Sequence, residues 1–464
     1  MQLGREEKPR RLGRRLIAVV AVVLLGIVAL ALLRVGPPPG IEIEPQLPGI
    51  GPRTPILVRL SEPRRGLGRV RAELVQGELR VALGEQTHTP RPFWAFWGAR
   101  TAASEMQLEV GRATVPGLRE GVATLRVTAD RASTWLRRPS PATRELELPV
   151  RLVPPTLAVR SSQVYVAQGG CEAVVYRVGD GAARDGVRAG DWFFPGYPLP
   201  GGGAGERFAL FAVPYDLADA GTVRLEVADA LGNRAEASFV ERFFPRPPAR
   251  ERIELDDGFL AKVVPAILAR SPEIADQGDL LKSFLAINGE LRRRNAGRLR
   301  ELAAAGRAAF LWEEPFLPLP NAQVMSAFAD RRTYVYRGRE VDQQYHLGFD
   351  LASTRQDAVP AANNGVVALA EYLGIYGNAV VVDHGYGLMS LYAHLSEIEV
   401  RAGQEVRRGQ RLGRTGETGL AGGDHLHFTL LLQGLPVTPL EWWDPHWLRD
   451  RIARKLGPAL PFSG

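Results

Sequence analysis

The sequence predicts a mainly β protein on an N-terminal membrane helix: two β-sandwich modules, a helical linker, and a C-terminal β-rich domain holding the chemistry. Three observations carry this. A single uncharged apolar run, Leu16 to Leu33, stands near the start. The next two hundred residues alternate with period two between turns, in a chain with 50 Gly and 35 Pro, which suits short strands. Six of the seven histidines fall in the last 120 residues, so imidazole chemistry belongs to the C-terminal domain.

Apolar residues make up 45% of the 464 and charged residues 23%, the usage of a folded protein, which excludes a mainly disordered chain. Cys171 is the only cysteine, so there is no internal disulfide framework and no cysteine-rich zinc site. It is expected to be a buried small apolar residue. The net charge of +7 invites a nucleic-acid reading. Arginines alternate with acids after the first 15 residues, and no basic stripe with interleaved aromatics occurs, so no nucleic-acid partner is expected.

Residues 1–35 read as a basic tail and anchor. Leu16 to Leu33 meets the roughly 17 to 25 residues that a spanning helix needs. Arg5, Lys8, Arg10, Arg11, Arg14 and Arg15 before it should stay in the cytoplasm, exporting everything after Arg34 to the periplasm or cell-wall side. A cleaved signal is the alternative, since Ala29-Leu30-Ala31 resembles a small-residue cleavage site. Leu32, Leu33 and Arg34 favour retention in the cytoplasmic membrane.

Gly36 to Gly40 is a stiff proline spacer. Residues 36–152 form the first β module, with strands expected at Ile41–Glu44, Ile56–Val58, Val70–Val75 and Ala123–Val127. Residues 153–246 form the second. There Val223, Leu225 and Val227 alternate, Asp229 to Asn233 turns, and Ala235, Ala237 and Phe239 alternate back. The stretch Ala228 to Asn233 resembles the final hairpin of bacterial immunoglobulin-like modules. Pro245 to Pro248 closes the β region. Residues 250–312 read as a helical linker, on the spacing of Phe259, Val263, Val264, Ile267 and Leu268 and of Leu280, Leu281, Phe284, Leu285 and Leu291. It would pack on a neighbouring domain or, alternatively, cover the active site. The last domain spans 313–446, followed by a tail, 447–464.

Within that domain, His346 and Asp350 stand four apart with Gly348 between, which disfavours a helix; on a strand both face one way. His425 and His427 also share a face, while Leu426 and Phe428 turn to the core. Together the pairs make a zinc site of two histidines and one carboxylate, which leaves an open position for water, as a catalytic site requires.

The segment Gln344 to Phe428 resembles the catalytic domain of lysostaphin-type (LytM-like) zinc metallopeptidases. The resemblance rests on His346-x-x-x-Asp350, Gly377-Asn378, His384-Gly385-Tyr386-Gly387 and Tyr392-Ala393-His394-Leu395. It continues through Gly409 to Gly413, Gly416 to Gly419 and His425-Leu426-His427. It implies that His346, Asp350 and His427 hold Zn2+, and that His394 and His425 are catalytic without being ligands. His384 is expected to be structural, and His88 and His446 to lie on the surface or in loops. The resemblance further implies a zinc endopeptidase acting on peptidoglycan stem peptides at their cross-links. The rivals are a non-catalytic wall-binding scaffold or amidase activator, and an exported peptidase acting on proteins.

Overall fold

The computed structural model describes residues 9–461; Arg5 and Lys8 of the expected basic tail lie outside them. The chain divides into two compact units, Met1–Pro154 with Ala228–Arg234, and Pro155–Val227 with Ala235–Gly464.

In the first unit α1 (Pro9–Leu33) includes a 21-residue stretch, Gly13–Leu33, long and apolar enough to cross a membrane. A two-sheet sandwich follows. Its three-stranded sheet runs Gly40–Pro45, Thr54–Ser61, Ala103–Val110, and its four-stranded sheet Leu79–Thr87, Arg69–Gln76, Gly121–Ala129, Ala142–Val150. All pairings are antiparallel. Every strand expected from alternation lies within one of these. Val58, Val70, Leu74, Leu125 and Val127 meet between the sheets with no exposed surface, as period two requires.

The second unit begins with two four-stranded sheets, Tyr197–Pro198, Glu206–Ala212, Cys171–Val178, Leu157–Val159 and Trp192–Pro195, Ala182–Ala189, Arg224–Asp229, Arg234–Ala237. Cys171 is buried, as expected. The core of this part is continuous with that of the C-terminal domain, joining Tyr176, Phe194 and Phe208 to Trp312, Phe428 and Leu430.

The linker departs from its expected helical start. Arg250–Leu255 is a strand pairing in parallel with Asp330–Tyr336. Helices follow: α2 (Asp257–Leu268), α3 (Leu280–Ala286) and α4 (Arg292–Ala304), the last two joined by a π turn at Ile287–Leu291. Asp256 and Asp279 cap α2 and α3 through the amides of Phe259 and Lys282, satisfying otherwise orphaned donors. The expected tail is also ordered: short helical turns over 445–459 bury Leu448, Ile452 and Leu456.

The C-terminal domain is built on one large sheet. Its central strands, Leu426–Leu432, Leu388–Leu395 and Asn378–Gly385, are flanked by Phe349–Ala352 and Gly365–Tyr372. Leu388–Leu395 and Leu426–Leu432 are buried on both faces. Their near-continuous apolar runs follow from that burial.

Candidate metal centre

Register brings the predicted donors together. Asp350 lies opposite His427 across one strand pair, and Ala393 opposite His427 across the next. His346 ends the neighbouring strand Arg339–His346. His346 Nε2 then lies 2.9 Å from Asp350 Oδ1 and 3.1 Å from His427 Nδ1, and His427 Nδ1 lies 2.8 Å from Asp350 Oδ1. Gly348 makes this approach possible, since a Cβ there would lie 2.6 Å from His427 Nε2 and 2.5 Å from the Thr429 hydroxyl.

The remaining hydrogen bonds fix the tautomers. His346 Nδ1 is 2.9 Å from the Ala327 carbonyl, which can only accept, so the proton is on Nδ1 and Nε2 offers a lone pair. Thr429 Oγ1 donates to the Leu347 carbonyl at 2.8 Å and therefore accepts from His427 Nε2 at 3.0 Å. His427 Nδ1 is then also unprotonated. Three lone-pair atoms converge with no hydrogen among them, an arrangement that repels itself unless a cation sits between. The donor set, two imidazole nitrogens and one carboxylate oxygen, suits zinc, with each second ring nitrogen held in place as metal-binding histidines require. His346, Asp350 and His427 are the group among the described residues whose donor atoms could share one ion.

Asp350 Oδ2 accepts from Arg332 Nη2 at 3.0 Å, and Arg332 is held by Glu251 at 2.8 Å. Burial pushes His427 down to about 4.

His394 and His425 stand beside the donor set, their rings 4.9 Å apart. Each uses Nδ1–H on a carbonyl, His394 on Thr418 and His425 on Gly423, both at 2.8 Å. Each therefore keeps Nε2 for other partners, and His425 Nε2 is 3.5 Å from Asp350 Oδ1. Burial and the neighbouring imidazoles drive His394 well below its ordinary value. Burial acts the same way on His425, but the bond and charge of Asp350 outweigh it and raise the ring's pKa. His394 has φ 63°, a left-handed conformation at an irregularity in the strand pairing. Such strain costs about 1–3 kcal/mol and re-aims the ring out of the ordinary strand direction.

His384 is fully buried between the Asn364 carbonyl and Ser390 Oγ, each at 2.7 Å, a structural placement. His446 is exposed and His88 lies in a loop, both away from the donors. Arg332, Thr429 and the Ala327 carbonyl were not singled out from sequence. Arg332 and Ala327 reach the site through partners 18 and 19 residues away, while Thr429 stands two residues from His427 on the same strand.

A cavity of about 260 Å³ opens over the donors. Ile253, Phe259, Phe284 and Arg292 of the linker segment form part of its wall, opposite Tyr376 and Leu420.

The domain thus brings together two histidines and a carboxylate that could hold one metal ion, beside two further imidazoles. Residues 344–439 match Peptidase family M23, and this segment is an M23 domain of the LytM-like type. The chain is 38% identical over 119 residues to the peptidoglycan DD-endopeptidase ShyA of Vibrio cholerae, covering 26% of this chain and 27% of that protein. It is 38% identical over 95 residues to the murein hydrolase activator EnvC of Escherichia coli, covering 20% and 23%. The chain thus spans about a quarter of the length of these curated relatives. A solved structure of a putative M23 peptidase from Pseudomonas aeruginosa aligns over 61% of this chain and 96% of its own, at 22% identity and a TM-score of 0.37.

Proposed function

We propose that the protein is a membrane-anchored zinc endopeptidase that hydrolyses peptide cross-links of bacterial peptidoglycan. The observation that carries the reading is the convergence of three unprotonated donors, His346, Asp350 and His427, beside the imidazoles of His394 and His425. The similarity to a peptidoglycan DD-endopeptidase supports the substrate class, and α1 supports the anchor. A scaffold or activator would have no use for this complete set, with each ring's tautomer fixed.

Zinc in this site would supply a Lewis acid that acidifies water and polarises the scissile carbonyl. The chain's own residues do the rest. His394, neutral and with Nε2 free, is placed to take a proton from the attacking water. His425, whose Nε2 lies 3.5 Å from Asp350 Oδ1, is placed to donate toward the developing oxyanion or the leaving nitrogen. Arg332 holds the Asp350 carboxylate in orientation.

The linker segment restricts entry in this reading. The cavity is smaller than the roughly 300–1,000 Å³ typical of sites that take a drug-sized ligand. A cross-linked peptide would enter past Phe259 of α2 and Phe284 of α3. A Lys262–Glu417 ion pair at 2.8 Å ties α2 to the site loops, and the Asn295 side chain of α4 accepts from the Ile375 amide at 3.0 Å.

Digestion of purified sacculi, followed by mass spectrometry of the muropeptides, tests the reading. Cross-linked dimers should fall and monomers rise, and denatured protein should remain uncut. Cleavage of denatured protein with intact dimers would transfer the activity to protein substrates.

A further inference from the structure

In the first unit, two loops clasp the end of α1. Arg65, 5% exposed, donates through Nη1 to the carbonyls of Arg34 and Ser133 at 2.9 and 2.8 Å, and through Nε to that of Arg91 at 2.9 Å. One buried guanidinium thus joins the helix end to loops 88–102 and 130–141. Thr134 Oγ1 donates to the Ala31 carbonyl, and the Gly36 amide to that of Ala132 at 2.9 Å. The helix carbonyls that would otherwise be orphaned are satisfied by these loops.

Beyond this buried clasp the loops turn large apolar side chains outward. Trp94, Phe96, Trp97 and Trp135 are 60–70% exposed, and Leu136 is 46%. Arg91 holds the first tip in shape by donating to the carbonyls of Phe96 and Gly98. The Arg34 guanidinium lies 3.8 Å from the Phe96 ring centroid. Residues 88–102 and 131–141 contain no Asp or Glu, Asp130 at the start of the second loop lies 3.7 Å from Arg71, and Arg100, Arg137 and Arg138 are exposed among them.

We propose that these two tips form a membrane-seating surface. Trp94, Phe96, Trp97, Trp135 and Leu136 enter the headgroup boundary of the bilayer that α1 crosses, with Arg100, Arg137 and Arg138 at lipid phosphates. The inference rests on the anchor reading above. Leu16 to Leu33, at about 1.5 Å per residue, rises about 27 Å, close to the thickness of a hydrocarbon core. Arg34 then lies at headgroup level, and the tips held beside it lie there too. Amphipathic indoles belong at that depth, and a basic rim complements anionic headgroups. The surface continues the helix's own apolar face, which identifies its occupant as lipid.

The test uses the full chain reconstituted into phosphatidylcholine–phosphatidylglycerol vesicles, with and without acyl chains brominated near the headgroup. Flotation comes first, because a chain that fails to float refutes the anchor and this inference with it. In floated samples, brominated lipid should lower tryptophan emission by up to three parts in eight, since three of the chain's eight tryptophans lie on the tips. Trp94→Ser, Trp97→Ser and Trp135→Ser together should abolish the quenching while flotation persists. Trp192→Phe should leave it intact. Floated wild-type protein with unquenched emission, or quenching undiminished in the triple variant, would overturn the surface and leave the anchor standing.

Discussion

Asp350 is the residue on which the site turns. One oxygen faces the donor cluster and the other is tied to Arg332, so its orientation is settled before any ion arrives. The histidine donors were legible by motif spacing, but His346 and Asp350 converge from two separate strands, Arg339–His346 and Phe349–Ala352, and not from one strand face as expected. Of the groups that set their protonation, Thr429 shares a strand face with His427 two residues away, whereas the Leu347 carbonyl it donates to and the Ala327 carbonyl are brought in by the fold. Thr429 gives the first prediction. Thr429→Val removes the acceptor that holds the proton on His427 Nε2. Zinc affinity should fall about 10- to 100-fold, the usual cost of losing such a partner. Competition with a chromophoric chelator measures it, and unchanged affinity would remove Thr429 from the account.

At the scale of elements, the strands were readable because each buries one face and alternates accordingly. Arg250–Leu255 was missed although Ile253 and Leu255 alternate, because its partner Asp330–Tyr336 lies some eighty residues away and no local turn announces the pairing. The helices were legible by spacing, but which surface they cover was not. Phe284, fully buried against Ile287, Tyr334 and Ile375, fastens α3 beside the site. Phe284→Ala should cost about 3–5 kcal/mol, as large-to-small changes in a core do. Turnover per folded molecule on a soluble cross-linked peptide should rise as the segment loosens. A lower Tm with unchanged turnover would make the segment a purely structural brace.

A second element-scale prediction concerns Glu441, on the short helix Pro439–Trp443. Its Oε2 accepts from the Cys171 amide at 2.7 Å. Glu172, Lys455, Arg246 and Arg451 supply the charges around it. Burial pushes its carboxyl up to about 7 from an ordinary 4.5. The folded state therefore binds a proton that the unfolded state releases. The associated stability is complete below about pH 4.5 and is lost as pH rises through 7, about 3 kcal/mol in all. Glu172, also raised by burial, acts in the same direction. Glu441→Gln should flatten this part of the stability profile in denaturant titrations at several pH values. An unaltered slope would assign it to other groups.

For the whole molecule, the proposed arrangement is a catalytic domain outside the membrane on a chain anchored by α1. The length of the apolar run was legible from sequence, whereas the clasp around its end was not, because Arg65, Arg91 and Thr134 come from separate loops. Retention of the helix is the fourth prediction: N-terminal sequencing of membrane-fraction protein should find Leu16 to Leu33 present, and a mature chain beginning near Leu32 would replace anchoring by secretion.

The central claim is that binding of zinc and assistance to hydrolysis belong to different histidines. Zinc content and cross-link hydrolysis, measured on the same preparations, test it most directly. His427→Ala should lose both together. His394→Ala and His425→Ala should keep about one zinc per chain and lose about 10²- to 10⁴-fold in rate, the usual value of general acid–base assistance. A His427→Ala protein with full zinc, or a His394→Ala or His425→Ala protein without it, would contradict the assignment.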